Sequence, residues 1–123
     1  MKDSTFKKNK PNWNYKEIAD EIEIFCDLYE KRPIKDNAGG MKFNHAFALY
    51  FILKKINPEM VIESGVFKGQ STWLIEKTLP KAKLTCLDID LTKRVYISEK
   101  AHYSNLDFRF HDFSNIPENT LVL

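Results

Sequence analysis

Hydrophobic and polar positions divide the chain of 123 residues into segments of different period. Over residues 13–31, Ile18, Ile22, Phe25 and Tyr29 recur at three- and four-residue steps, and Ile24 and Leu28 widen the stripe. That spacing predicts an amphipathic helix, because residues three and four apart share one helical face. Asn14, with Glu17 three residues on, has the form of a capping box, and Pro33 ends the segment. Residues 44–56 carry Phe47, Tyr50, Phe51, Ile52 and Leu53 and predict a second helix. Asn44 is its expected N-cap, Lys54 and Lys55 suit its C-terminal dipole end, and Asn57-Pro58 stops it.

Beyond Pro58 the pattern shortens. Met60-Val61-Ile62-Glu63 reads as a strand covered on both faces, and residues 71–79 read as a helix closed by Pro80. Residues 83–90 read as a second strand. Residues 92–103 read as a helix with Val95, Tyr96 and Ala101 inward. The alternation of Leu106, Phe108 and Phe110 predicts a third strand over 106–111, and residues 120–123 read as the start of a fourth. Strands alternating with helices predict an α/β fold built on a parallel sheet.

Composition then narrows the classes. Residues are 43% hydrophobic and 13% aromatic, enough to build a core, while a formal net charge of +2 is too balanced to argue for nucleic acid. No apolar run reaches the roughly 18 residues of a membrane-spanning helix. Residues 1–12, with Lys2, Lys7, Lys8 and Lys10 and little to bury, read as a disordered basic tail rather than a secretory signal. Cys26 and Cys86 stand far apart within apolar patterns, which predicts two buried free thiols in a reducing compartment. The expectation is a soluble, cytoplasmic chain with no metal site.

Candidate chemistry gathers where the first strand ends. Glu63 is followed by Gly65 and Gly69, and Ser71-Thr72 then opens a helix. Glycine past a strand permits positive φ and lets a ligand approach the backbone. A helix N-terminus favours an anion, whereas a strand-end carboxylate suits a cation or a pair of hydroxyls, so the combination points to a zwitterionic or sugar-bearing ligand. Asp88 lies 25 residues after Glu63, near the spacing at which nucleotide sites place a carboxylate for ribose hydroxyls. Asp90 reads as a cap or solvated strand end. His111-Asp112-Phe113 follows the expected third strand, so Glu63, Asp88 and Asp112 form a set of strand-end acids. The loop Asp36-Asn37-Ala38-Gly39-Gly40-Met41 is either a connector or a flap over the ligand, and His45 beside it is either a surface histidine or a substrate-side acid/base.

These residues resemble the class I S-adenosylmethionine-dependent methyltransferases, with the closest likeness to the O-methyltransferase and sugar- and antibiotic-modifying type. The first motif, Glu-x-Gly-x-x-x-Gly-x-Ser, is met by Glu63, Gly65, Gly69 and Ser71. Leu87-Asp88-Ile89-Asp90 and His111-Asp112-Phe113 look like the next two motifs, and the loop from Asn37 to Met41 looks like the segment before the first. The resemblance implies a Rossmann-like fold and S-adenosyl-L-methionine as cofactor. It implies that Gly65, Val66, Phe67 and Gly69 wrap the methionine part, with Glu63 beneath favouring its cationic end and Ser71 donating to its carboxylate. Asp88, with Ile89 beside it, would accept from both ribose hydroxyls. Asp112 and Phe113 would hold adenine, and His45 is the one histidine nominated as catalytic base.

Phe67 departs from the Gly-x-Gly-x-Gly form, which weighs against an NAD(P)-dependent oxidoreductase. A non-catalytic Rossmann-like module is the other alternative. At roughly 20 to 30 residues per βα unit the chain holds three or four strands. The expectation is therefore a fragment: a tail over 1–12, two helices and a glycine loop over 13–58, and the first half of a cofactor-binding domain over 59–123. The acids and base that metal-dependent relatives carry after the fourth strand are not present. The expected partners are a small-molecule methyl acceptor or sugar, and a second copy at an unpaired sheet edge.

Overall fold

The computed structural model describes residues 13–123, so the expectation for the first twelve residues lies outside them. Helix α1 spans Tyr15–Glu30, and Asn14 caps it, its side chain accepting from the Glu17 amide. Helix α2 spans Phe43–Ile56. It starts one residue before expectation, on Lys42 with no side-chain cap, so Asn44 lies inside the helix and is not its N-cap. Its end is as expected: Asn57 takes a left-handed conformation (φ 47°) and Pro58 follows.

Strand β1 (Met60–Ser64), helix α3 (Gln70–Thr78) and strand β2 (Lys83–Leu87) complete the first crossover unit. Strands β3 (His102–Ser104) and β4 (Thr120–Val122) are short. All pairs are parallel and the order is β3-β2-β1-β4. Val61 therefore faces Leu84 on one side and Leu121 on the other. Central β1 is buried on both faces, which is why Val61 and Ile62 carry no polar alternation.

Helix α3 joins two apolar clusters. Ile75 and Leu79 pack with Leu53, Val61, Val66, Leu84 and Cys86 against the sheet. Trp73 and Leu74 pack with Phe25, Ala46 and Tyr50 from α1 and α2. The fully buried Phe25 ring lies 5.1–5.5 Å from those of Tyr29, Phe43, Phe47 and Tyr50. Glu21 ties α1 to α2 by accepting from Tyr50 and Lys54 (2.8 and 2.9 Å). Ile24 lies outside the stripe at 56% exposure, and Cys26 is exposed, so of the two free thiols only Cys86 is buried.

The last third differs most from expectation. Residues 92–103 form no α-helix. Asp90 caps a single 3-10 turn at Leu91–Lys93, and the chain then runs irregularly into β3. Two contacts explain this. The amides of Val95 and Tyr96 both donate to the Lys68 carbonyl (2.8 and 2.9 Å), and the Ser98 hydroxyl accepts from the amides of Lys100 and Ala101. Groups that a helix would bond internally are thereby taken by the glycine turn and by a local serine turn. Residues 106–111 are likewise not a strand. Asp107 accepts from the Arg109 amide and nucleates a 3-10 turn at Phe108–Phe110, leaving Phe110 75% exposed. The third strand lies instead at His102–Ser104. Strand β2 also stops at Leu87, short of Asp88.

Candidate functional site

The turn between β1 and α3 is held in an uncommon backbone conformation. Gly65 (φ 90°) and Gly69 (φ 98°) are left-handed, and so is Phe67 (φ 50°). Positive φ costs a side-chain-bearing residue roughly 1–2 kcal/mol, so the surroundings must hold Phe67 there. Much of that support comes from Asp88. Its Oδ2 accepts from the Val66 and Phe67 amides (2.7 and 3.1 Å), and its Oδ1 accepts from the Asp90 amide (2.9 Å). Burial pushes the Asp88 carboxyl up, but the amides of Asp90, Phe67 and Val66 outweigh it and hold it below the usual range. Three of about four acceptor directions of the carboxylate are thus in use.

Gly69 differs from Gly65. A methyl group on Gly69 would stand 2.4 Å from the Tyr96 carbonyl, whereas one on Gly65 would meet nothing within 4 Å. Gly69 admits a neighbouring main chain, and Gly65 faces open space. Helix α3 starts at Gln70 with no side-chain cap, leaving its first amides to a ligand or water.

Glu63 lies beneath this turn at 3% exposure. Thr72 donates to its Oε1 (2.6 Å), and its Oε2 has no partner. Burial raises its carboxyl to about 7, helped by the Asp88 charge, with the Thr72 and Ser71 hydroxyls pulling it part of the way back. At neutral pH it is poised between charged and neutral forms.

Two hollows flank Gly65. The first, about 330 Å³, is lined by Asn37, Gly39, Gly40, Met41, His45, Gly65, Val66, Phe67, Lys68, Gln70 and Ser71. It contains no acid. The second, about 190 Å³, is lined by Ser64, Gly65, Leu87, Asp88, Ile89, Leu106, Asp107 and Phe108, and contains no base. Gly65 belongs to both. Both lie outside the carboxyl ends of the strands, where ligands of open α/β sheets bind. A larger hollow of about 480 Å³ lies beside Pro58 and Pro80, at the amino ends of β1 and β2. Among the described residues no group of three or more His, Cys, Asp or Glu could hold a metal ion.

The expected site residues fall into two groups. Gly65, Val66, Phe67, Ser71, Asp88, Ile89 and His45 line the two hollows, and Glu63 and Gly69 support the turn. Asp112 and Phe113 do not join them. Asp112 is exposed and accepts from the Ser114 amide in a local turn, while the Phe113 ring stacks edge-on against His111 and Phe108. The acid that follows β3 is Asp107, paired with Arg109. Asn105, its side-chain amide oriented to donate, reaches the carbonyls of Asp88 and Ile89 (3.0 and 2.8 Å).

Sequence reasoning also missed Gln70. Buried at the start of α3, it bonds both the amide and the carbonyl of Ile34 (3.2 and 3.0 Å). The loop is further tied by Lys68, which donates to the Asp36 carbonyl (3.1 Å). The glycine loop is therefore fastened to the turn. A buried glutamine spaced 36 residues from its partner leaves no local sequence signal.

No protein-family model matches the chain, and no curated protein does. Solved structures do. One described as cmcI-N160 SAH superposes with a TM-score of 0.58 at 15% identity, over 68% of this chain and 47% of that one. The plantazolicin methyltransferase BpumL, in complex with a monoazolic desmethylPZN analog and S-adenosylhomocysteine, superposes at 0.50 and 17% identity, over 82% of this chain and 40% of that one. The chain spans less than half the length of these neighbours. What the likeness establishes is the fold: the two helices, β1 to β4 and the glycine turn form a Rossmann-like α/β arrangement of the kind these solved structures have.

Proposed function

We propose that this chain is the cofactor-holding part of an S-adenosylmethionine-dependent methyltransferase. The observation that carries the reading is the pair of hollows of opposite character sharing Gly65. S-adenosylmethionine is a ligand with a diol and a base at one end and a carboxylate at the other, and it fits across that glycine. Asp88 would accept from the ribose hydroxyls, its Oδ2 being held less closely by the Phe67 amide (3.1 Å) than by that of Val66 (2.7 Å). Ile89 and Asp107, which line the same hollow, would hold adenine, Asp107 taking the role the sequence reading gave to Asp112. The uncapped start of α3 and Ser71 would take the carboxylate. The neighbours support the reading, since both are described with S-adenosylhomocysteine bound.

When bound, the cofactor supplies an electrophilic methyl group on a sulfonium. The chain's part is to bind and orient it, which is where most of the rate gain of an in-line displacement arises. The acceptor is a small molecule or sugar bearing a hydroxyl. His45 in the acid-free hollow takes its proton, provided the imidazole comes within hydrogen-bond reach of that hydroxyl. Titration calorimetry tests the assignment. S-adenosylhomocysteine is expected to bind and NAD to give no heat. Binding of NAD with none of S-adenosylhomocysteine overturns it.

A further inference from the structure

The hollow of about 480 Å³ at the amino ends of β1 and β2 lies at the opposite end of the sheet from the candidate site, and the cofactor reading makes no use of it. Its floor is apolar: Pro58 and Leu79 are buried and Ala82 is half-buried. Its rim is cationic. Lys81 and Lys83 line it and are exposed, and Lys100 donates to the Pro80 carbonyl beside them (2.8 Å). Neither Lys81 nor Lys83 forms a salt bridge among the described residues. Glu59 is the one acid in the lining. Helix α1 carries the opposite arrangement. Ile24 is 56% exposed, on a helix whose inner face already holds Phe25, Leu28 and Tyr29. Asp20 and Asp27 stand one turn before and after it on the same side, and Glu23 adjoins it. Asp20 pairs with Lys16 (3.1 Å), whereas Glu23 and Asp27, both exposed, form no salt bridge among the described residues. A lone exposed isoleucine is ordinary. One flanked by unpaired acids is an apolar knob with a negative collar, and a lysine-rimmed apolar hollow is its complement in shape and in sign.

We propose that the chain associates with a second copy of itself, Ile24 of one protomer entering the hollow beside Pro58 and Pro80 of its partner, with Asp20, Glu23 and Asp27 facing Lys81, Lys83 and Lys100. The knob and the hollow lie on different parts of the chain, so the contact is heterologous. Each added copy brings one free knob and one free hollow, and growth continues until a ring closes or runs on as a filament. Exposed ion pairs contribute little, so the apolar knob supplies most of the affinity, and the charges supply register and salt dependence. This places the second copy away from the β3 and β4 edges of the sheet. Because the hollow is at the far end of the sheet from Gly65, its occupant leaves the candidate site of that copy open. None of this depends on what the candidate site binds.

Sedimentation velocity on the full chain tests this. At about 0.1 M salt, where charges are felt over about 10 Å, the average mass is expected to rise with protein concentration. At about 1 M, where that length falls to about 3 Å, association is expected to weaken by roughly tenfold or more. Ile24→Lys removes the knob, and the double variant Lys81→Glu/Lys83→Glu reverses the rim; each is expected to stay monomeric. An equimolar mixture of the two is expected to form a dimer that does not grow, because the first retains its hollow and the second its knob. All three positions are exposed, so the fold is expected to survive. If either variant melts early in circular dichroism, Asp27→Lys stands in for the first and Lys81→Glu alone for the second. A wild-type chain that is monomeric at every concentration overturns the proposal. Association that high salt or either variant leaves unchanged overturns it as well. So does a mixture that stays monomeric, since knob and hollow then do not meet.

Discussion

The hollows on either side of Gly65 are made by different means. The acidic one is built from the ends of β2 and β3, and its principal carboxylate, Asp88, already holds the turn through two amides. The acid-free one is built from a loop clasped to α3, and it keeps uncapped helix amides. The first stores its binding capacity in groups that also stabilise the fold, so a ligand there competes with the protein. The second holds its loop through Gln70 and Lys68 but leaves the first amides of α3 without a side-chain cap, so a ligand there can complete the helix start. Substitution of Asp88 should therefore cost stability and affinity together, whereas substitution of Ser71, for which no hydrogen bond holding the loop is seen among the described residues, should cost chiefly affinity.

The largest expected effect falls on neither wall but on their common support. Gly69→Ala combines a left-handed residue with a main-chain clash against Tyr96, and should lower stability by about 3 kcal/mol or more in a urea titration. Glu63 comes next. Its carboxyl is raised from 4.5 to about 7 by burial, so ionising it costs more in the folded chain than in the unfolded one. Stability is fully present below about 4.5 and is lost as pH rises through about 7, by roughly 3 kcal/mol at 1.36 kcal/mol per pH unit. Glu63→Gln should remove that difference, measured as urea midpoints at pH 4.5 and pH 8. An unchanged pH slope in the variant would show that Glu63 ionises freely.

Asp88→Ala should reduce affinity for S-adenosylhomocysteine and for methylthioadenosine alike, by about a hundredfold. It should also lower stability by roughly 2 kcal/mol, because three amides lose their acceptor. Gly65→Ala separates the two costs. Its methyl meets no protein atom, so stability should fall by only about 1 kcal/mol, while the ligand shared by both hollows is obstructed. Loss of stability without loss of affinity would mean that no ligand crosses Gly65. The smallest effect belongs to Asp112→Ala, expected to leave nucleoside affinity within about twofold because that carboxylate caps a local turn with Ser114. Asp107→Ala should weaken it severalfold.

Sequence patterns were informative where local rules and tertiary structure agree. Asn14 caps α1, Asn57 ends α2, and the run from Met60 to Glu63 is a buried central strand. The glycine turn and Asp88 were legible for the same reason: a left-handed position and a strand-end acid are demands that one or two residues meet. After Asp90 the determinants became distant. The amides of Val95 and Tyr96 answer to Lys68, and Ser98 and Asp107 divert the chain into turns that apolar periodicity does not register. The place given to Asp112 rested on a third strand at 106–111, whereas that strand lies at His102–Ser104. Gln70 escaped because its role depends on burial and partners, not on residue type.

The placement of β1 has a further consequence, for how quickly the molecule can assemble. Its two flanking neighbours are parallel to it, so neither arrives through a hairpin. Val61 meets Leu84 after one crossover, but its other neighbour, Leu121, lies some 60 residues further along. Loop closure over that distance must precede the contacts that reward it, which makes long-range parallel pairing a slow step. The β1–α3–β2 unit, with its aromatic backing from α1 and α2, is the natural nucleus, and β4 should add late. Val61→Ala is then expected to slow folding, while Leu121→Ala should chiefly hasten unfolding.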